Sequence, residues 1–299
     1  MVRPVTVDIP RSVTEAPLTT DVPGSPATAP HPSDRIDTSV AHPARRYNYW
    51  LGGKDNFQAD RESGDAMAAR FPTIRTSALE NRRFLRRAVG YLAREAGIRQ
   101  FLDIGTGIPT ADNTHEVAQA VAPESRVVYV DNDPIVLAHA RALLTSSPEG
   151  ATAYLDADVR DPERILSHPD LLRTIDLSRP VALMLVAVLH FVPDADDPYA
   201  AVTRLLDALP AGSYLVASHA THEYLPPHIA EEAKAAAKGG GPHGVINLRT
   251  RKEFTRFLER LELIEPGVTS VAEWRADDEP QPRPSVVDVS MYGAVARKN

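Results

Sequence analysis

Cysteine is absent from all 299 positions, which excludes disulfides, thiolate metal sites and a cysteine nucleophile together. An excess of positive charge is missing as well. Thirty-three Lys and Arg against 40 Asp and Glu leave a net charge of −7, so no basic surface invites non-specific binding of nucleic acid. The longest apolar run, Val181 to Val192, stops at about a dozen residues, where a membrane helix needs about 20, and it contains His190. The opening residues MVRPVTVDIPR carry no hydrophobic leader. A soluble, cytoplasmic protein with no membrane partner is the expectation. A phosphate loop of the form G-x-x-x-x-G-K-[ST] is also lacking, because the Gly-Gly-Lys at 52–54 has neither the leading glycine nor the trailing hydroxyl. No nucleophile elbow marks a serine hydrolase. What the chain does have is 43% hydrophobic residues, ample for a large core.

Three regions follow from composition. Residues 1–42 are rich in Pro, Thr, Ser and Asp without hydrophobic period and read as a disordered tail. Residues 43–97 read as a helical lid or cap. A helical pattern runs from Gln58 to Ala96, with Phe84, Leu85, Ala88, Val89, Tyr91 and Leu92 on one face, and Gly97 as its stop. Arg82, Arg83, Arg86 and Arg87 read as its solvated side. Residues 98–299 alternate strand and helix, which implies an α/β, doubly wound, mostly parallel sheet with helices on both faces. The predicted strands are RQFLDIG, SRVVYVDND, ATAYLDADV, PVALMLVAVLHF and GSYLVASHA. EEAKAAAKGGGPHG begins as a polar helix and turns into a mobile glycine-rich stretch. SVVDVSMYGAVARKN reads as a final strand at or near a sheet edge.

The chemistry concentrates at strand ends, where doubly wound sheets bind ligands. FLDIGTGIPT places Asp103 at the end of the first strand, followed by Gly105 and Gly107, which allow positive φ and close backbone approach. Asp131, with Asn132 beside it, ends the second strand, where one carboxylate can hold both hydroxyls of a ribose. Asp158 follows the third strand and can accept from an exocyclic amine, with Val159 packed on the ring. A dinucleotide turn needs a small residue at its third glycine position, and Thr110 stands there behind Pro109. A pyrophosphate would also meet Asp103 and Asp112 at the helix start. A ligand with a sulfonium, an ammonium, a ribose and an adenine fits better, and S-adenosylmethionine has all four.

These motifs resemble the first three motifs of class I S-adenosylmethionine-dependent methyltransferases. RYNYWLGGKDNFQADRE, ENRRFLRRAVGYLA and LHFVPD further resemble an actinobacterial S-adenosyl methyltransferase family once catalogued as a domain of unknown function, over about Ser39 to Lys298. The resemblance implies a Rossmann-like seven-stranded sheet with an antiparallel last strand. It also implies Asp103, Gly105, Thr106 and Gly107 around the methionyl group, Asp131 on the ribose, and Asp158 with Val159 at the adenine. Pro109 departs from the third glycine of the general class.

Arg45 to Phe57 is unusual for a linker, with Tyr47, Tyr49, Trp50, two glycines, Lys54 and Asn56 in one short span. One reading makes it a lid over the cofactor, with Tyr47 or Tyr49 stacking, Gly53 in the turn, and Lys54 or Asn56 bonding the methionyl carboxylate. The other reading has the aromatics dock the N-terminal helices on the sheet. Asn81 either joins the site or is a turn residue. His190, after the fourth strand, is the candidate general base; alternatively it only orients the strand end or contacts the cofactor. His219 and His222 could line an acceptor pocket, but no third ligand accompanies them and no metal is expected. The expected activity is methyl transfer to a small-molecule acceptor. A non-catalytic S-adenosylmethionine-binding regulator and an NAD-dependent oxidoreductase are the rivals.

Overall fold

The structure, a computed structural model, describes residues 37–143, 145–238 and 246–299. Most of the predicted tail and the glycine-rich stretch at 239–245 lie outside these residues. The chain opens with α1 (Pro43–Trp50), α2 (Gln58–Arg70) and α3 (Ile74–Arg94). The single helical pattern expected from Gln58 onward is thus two helices. Pro72 has no N–H and holds Phe71 in an extended conformation (φ −129°, ψ 83°), which splits them. The stop at Gly97 holds, with φ +69° and the Ile98 N–H donating back to Leu92 O (2.9 Å).

The alternating part runs β1 (Gln100–Ile104), α4 (Thr114–Val121), β2 (Arg126–Asp131), α5 (Pro134–Leu143), β3 (Ala151–Asp156), α6 (Pro162–Leu166), α7 (Pro169–Thr174), β4 (Ala182–Val186), α8 (Pro198–Asp207), β5 (Tyr214–Ala220), α9 (Pro227–Lys238), α10 (Arg251–Thr255), β6 (Leu261–Leu263), β7 (Thr269–Ser270), α11 (Val286–Val289) and β8 (Met291–Lys298). The sheet order is β3-β2-β1-β4-β5-β8-β6, with β7 also paired to β8. Strands β1 to β5 are parallel, and β8 is antiparallel to β5, β6 and β7. Strand order reverses between β1 and β4, so a crevice opens at their carboxyl ends.

Alternation along the strands divides the core in two. Leu102, Val128, Leu183 and Leu215 face Ile165, Leu171, Leu205 and Phe254. Phe101, Val127, Ala182 and Val216 face Phe84, Leu85, Leu92 and Trp274. Helix α3 therefore packs directly on the sheet.

Two strands are shorter than their apolar runs. Strand β4 ends at Val186 because Ala187 takes φ +58° and its N–H donates to Ser218 Oγ (2.9 Å), after which Leu189–Phe191 forms a 3-10 turn. The last strand begins at Met291, since Ser285 caps a helical turn by accepting from the Asp288 N–H (3.2 Å), and Ser290 (φ +45°) reverses the chain. Local capping overrides the β-branched Val286 and Val287. Strand β8 lies one place in from the edge.

The arginines of α3 are not a solvated side. Arg87 donates to Trp274 O (2.8 Å), Val271 O (2.6 Å) and Glu279 (3.1 Å), and Arg86 to the same Glu279 (2.7 Å). Arg83 and Arg283 flank the fully buried Glu80. Together they clamp the 271–283 segment onto α3.

Candidate active site

The loop after β1 is built on its two glycines. The Gly105 N–H donates to Val130 O (2.8 Å), and Thr106 Oγ1 donates to Asp103 O (3.0 Å). Both glycines have positive φ, +74° and +70°. Their surroundings differ. A Cβ on Gly105 would run into Val188 at 2.5 Å, whereas one on Gly107 would meet nothing within 4 Å. Gly107 thus borders open space at the crevice. Helix α4 starts only at Thr114, seven residues after Gly107, and the Asn113 N–H already donates to Glu116 (2.7 Å), so the helix end carries an acid. That arrangement disfavours a pyrophosphate.

The strand-end acids converge around this turn. Asp103 accepts from Thr114 Oγ1 (2.6 Å). Burial pushes it up to about 6, against the Thr114 hydrogen bond and the charge of Arg82. Asp131 accepts from the N–H groups of Gly107 (2.8 Å) and Asp133 (2.9 Å), one on each oxygen. Burial again dominates and pushes it up to about 6. Each oxygen keeps a second lone pair. Asp158 differs, because Arg160 donates from N, Nε and Nη2 (2.9, 2.9 and 2.7 Å) and Asn132 Nδ2 adds a fourth bond (2.7 Å). Burial alone would raise Asp158, but these bonds hold it below the usual carboxylate range. Val159 is buried beside it.

The N-terminal block is tied over the same loops. Buried Asp133 takes Arg45 Nε at 2.9 Å and His42 Nδ1 at 3.1 Å. Ala44 and Phe57 pack against Ile108, Ile135 and Val136. Tyr47 donates to Ala78 O (2.8 Å) and accepts from Asn81 Nδ2 (3.0 Å), while Asn81 Oδ1 accepts from Ser218 Oγ (2.6 Å). This chain of bonds joins α1, α3, β5 and, through the Ala187 N–H, the end of β4. The other members of the block behave differently. Tyr49 bonds Asp65 (2.8 Å) and Trp50 bonds Gly64 O (3.2 Å), so these aromatics dock α1 on α2. Asn56 Nδ2 is taken by Asn48 Oδ1 and Gly53 O, both at 2.9 Å. A Cβ on Gly53 would overlap the Asn48 carboxamide. Lys54 is exposed.

Beyond β4, His190 is buried and its Nδ1 has no hydrogen-bond partner. Burial pushes it down to about 3, with further lowering by Arg249 and Arg46. Its carbonyl accepts from the Asn247 N–H (2.7 Å). Its ring lies edge-on to His219 at 5.6 Å. His219 sits between Arg249 Nη1 (2.8 Å) and Ala220 O (2.8 Å), which fixes a neutral ring with the proton on Nδ1. Both of its nitrogens are therefore engaged. Sequence reasoning missed Asp133, Arg45, Ser218 and Arg249. Asp133 stands inside the VVYVDNDP motif and Arg45 heads the aromatic block, but nothing in sequence spacing pairs them.

An open sheet with a glycine turn at its switch point, ringed by acids from successive strand ends, defines a nucleoside-binding α/β protein. The S-adenosyl methyltransferase family profile matches residues 29–299, and the chain belongs to that family. It is similar in structure to a DUF574 family protein from Streptomyces avermitilis, at 52% identity, 89% coverage of this chain, 100% of the other and a TM-score of 0.82. It is likewise similar to a proposed methyltransferase from Thermobifida fusca, at 46% identity, 88% and 97% coverage and a TM-score of 0.79. No curated protein matches. The protein is a methyltransferase dependent on S-adenosylmethionine. Among the described residues, no helix is long and apolar enough to cross a membrane.

Proposed function

We propose that the protein moves a methyl group from S-adenosylmethionine to a small-molecule acceptor, in the crevice between β1 and β4. The observation that carries this reading is the open side of Gly107, bordered by Asp103 and Asp131. S-adenosylmethionine supplies a methyl on a positively charged sulfur, open to displacement by a nucleophile in line with the leaving bond. Asp103 takes the ammonium, and the loop from Gly105 to Gly107 follows the methionyl chain. Asp131 holds the ribose hydroxyls on its remaining lone pairs. Val159 and Asn132 take the adenine, with Asp158 available once Arg160 swings away. Tyr47 and Asn81 brace the block that excludes water from the reacting atoms.

His190 has a narrower role than general base. Two arginine charges and burial oppose the imidazolium, so it is a poor proton acceptor near neutrality. It orients the acceptor through a ring nitrogen, and the nucleophile arrives already reactive.

Asp131→Ala should weaken S-adenosylmethionine binding by about 1.5–3 kcal/mol, the worth of a hydrogen bond to a charged group. Unchanged affinity by titration calorimetry would remove Asp131 from the ribose. Release of S-adenosylhomocysteine on incubation with fractionated small metabolites checks the acceptor class; release only with macromolecular fractions would overturn it.

A further inference from the structure

A zwitterionic amino-acid end needs a cation as well as an acid, and neither Asn56 nor Lys54 is placed to supply the partner for its carboxylate. Asn56 is held inside its own turn, and Lys54 is exposed with no partner among the described residues. Arg82, on α3 beside Asn81, is placed differently. Its Nη2 donates to Ala111 O (2.9 Å) and Asp112 O (3.1 Å), the last carbonyls before the cap of α4. Its Nη1 and Nε have no partner among the described residues. Two residues after Asp112, Thr114 bonds Asp103 (2.6 Å). The loop from Gly105 to Thr114 thus carries a buried acid at one side and a cation with free donors at the other. Arg82 also acts on Asp103 and on Tyr47 through its charge, which sets it within the same neighbourhood.

We propose that Arg82 binds the methionyl carboxylate of S-adenosylmethionine, completing with Asp103 a paired subsite for carboxylate and ammonium. This assignment rests on the cofactor reading given above. The N–H donors of Nη1 are open to a carboxylate oxygen, while Nη2 fixes the guanidinium to the loop. The two roles use different protons of one side chain.

The test compares two ligands that differ only by the carboxylate: S-adenosylmethionine and its decarboxylated form, titrated by calorimetry into the full-length protein. Arg82→Gln should weaken S-adenosylmethionine roughly 10- to 100-fold and leave the decarboxylated ligand within about twofold. Arg82→Lys keeps the charge without the loop-anchored guanidinium and should fall between wild type and Arg82→Gln for S-adenosylmethionine alone. It carries the same comparison if the glutamine variant melts early. Equal losses for both ligands would show that Arg82 acts only through the loop and overturn the proposal. So would an undiminished affinity for S-adenosylmethionine. Wild-type protein that binds neither ligand would overturn the cofactor reading itself, and this assignment with it. Binding of both by wild type separates the two failures.

Discussion

Asp103 and Asp131 are both pushed up to about 6, chiefly by burial, and this ties cofactor binding to pH. Between the ordinary carboxylate value near 3.9 and about 6, the folded protein holds protons that the unfolded chain has released. These two groups therefore favour folding at low pH, and that contribution is lost as pH rises through the window. An ammonium and ribose hydroxyls need the ionised carboxylates, so the ligand pulls the other way. Affinity for S-adenosylmethionine should fall below about pH 6, by up to about tenfold per unit for each carboxylate that must lose its proton. A flat calorimetric affinity between about pH 7.5 and about pH 5 would contradict the assigned roles of both acids. At Asp158 the competitor is Arg160, whose side chain is about half exposed. A surface pair of this kind is worth about 0.2–1 kcal/mol, so Arg160→Ala should tighten binding by up to about fivefold. A loss instead would mean that Arg160 itself holds the base.

Helix α1 is fastened at three points: Asp133 through Arg45 and His42, the apolar contact of Ala44 and Phe57, and Tyr47 to Asn81. Asp133→Asn should loosen this helix before the sheet. Amide hydrogen exchange across residues 43–57 should quicken while β1, β4 and β5 keep their protection; uniform loss would show that the pair supports the whole fold. Gly53→Ala should cost about 1–3 kcal/mol in urea unfolding, because the Asn48 carboxamide occupies the space for a Cβ. Helix closure at Gly52 (φ +81°) and packing at Gly53 are by themselves enough to require the double glycine. That explains how much of this region was legible in the sequence. Its aromatic density marked a covering element, but the distribution of its bonds depends on pairs far apart in sequence, such as Arg45 with Asp133. Likewise the pattern from Gln58 to Ala96 reads as one helix across the break at Pro72, and the end of β4 does not show, because it depends on Ser218 accepting from Ala187.

At the scale of the whole molecule, alternation of strands and helices was enough to read a doubly wound sheet, since the central strands β1, β2, β4 and β5 are buried on both faces. The strand-end acids were legible for the same reason, as a polar residue closing an apolar run. The clamp of Arg86 and Arg87 on Glu279 was not, because a row of arginines on a helix looks the same whether water or a distant glutamate faces it. Buried His190 opposes acid conditions, as does buried His219 beside it. The folded value of His190, near 3, lies below the unfolded value of 6.5, so the stability it allows is present above 6.5 and is lost as pH falls. By pH 5 the loss is about 2 kcal/mol, opposite in sign to the gain from the two aspartates. His190→Asn should narrow the drop in urea midpoint between about pH 7 and about pH 5; an unchanged drop would show that this histidine stays neutral in neither state. Strand β8 pairs with β5 on one side and with β6 and β7 on the other. During synthesis, β5 must therefore wait with an open, apolar margin until some seventy further residues have left the ribosome. The cofactor crevice between β1 and β4 can assemble much earlier. A ligand that stabilises the crevice at that stage would act as a folding aid for the nascent chain, while the unpaired margin of β5 is where a helper protein, or another nascent chain, would attach.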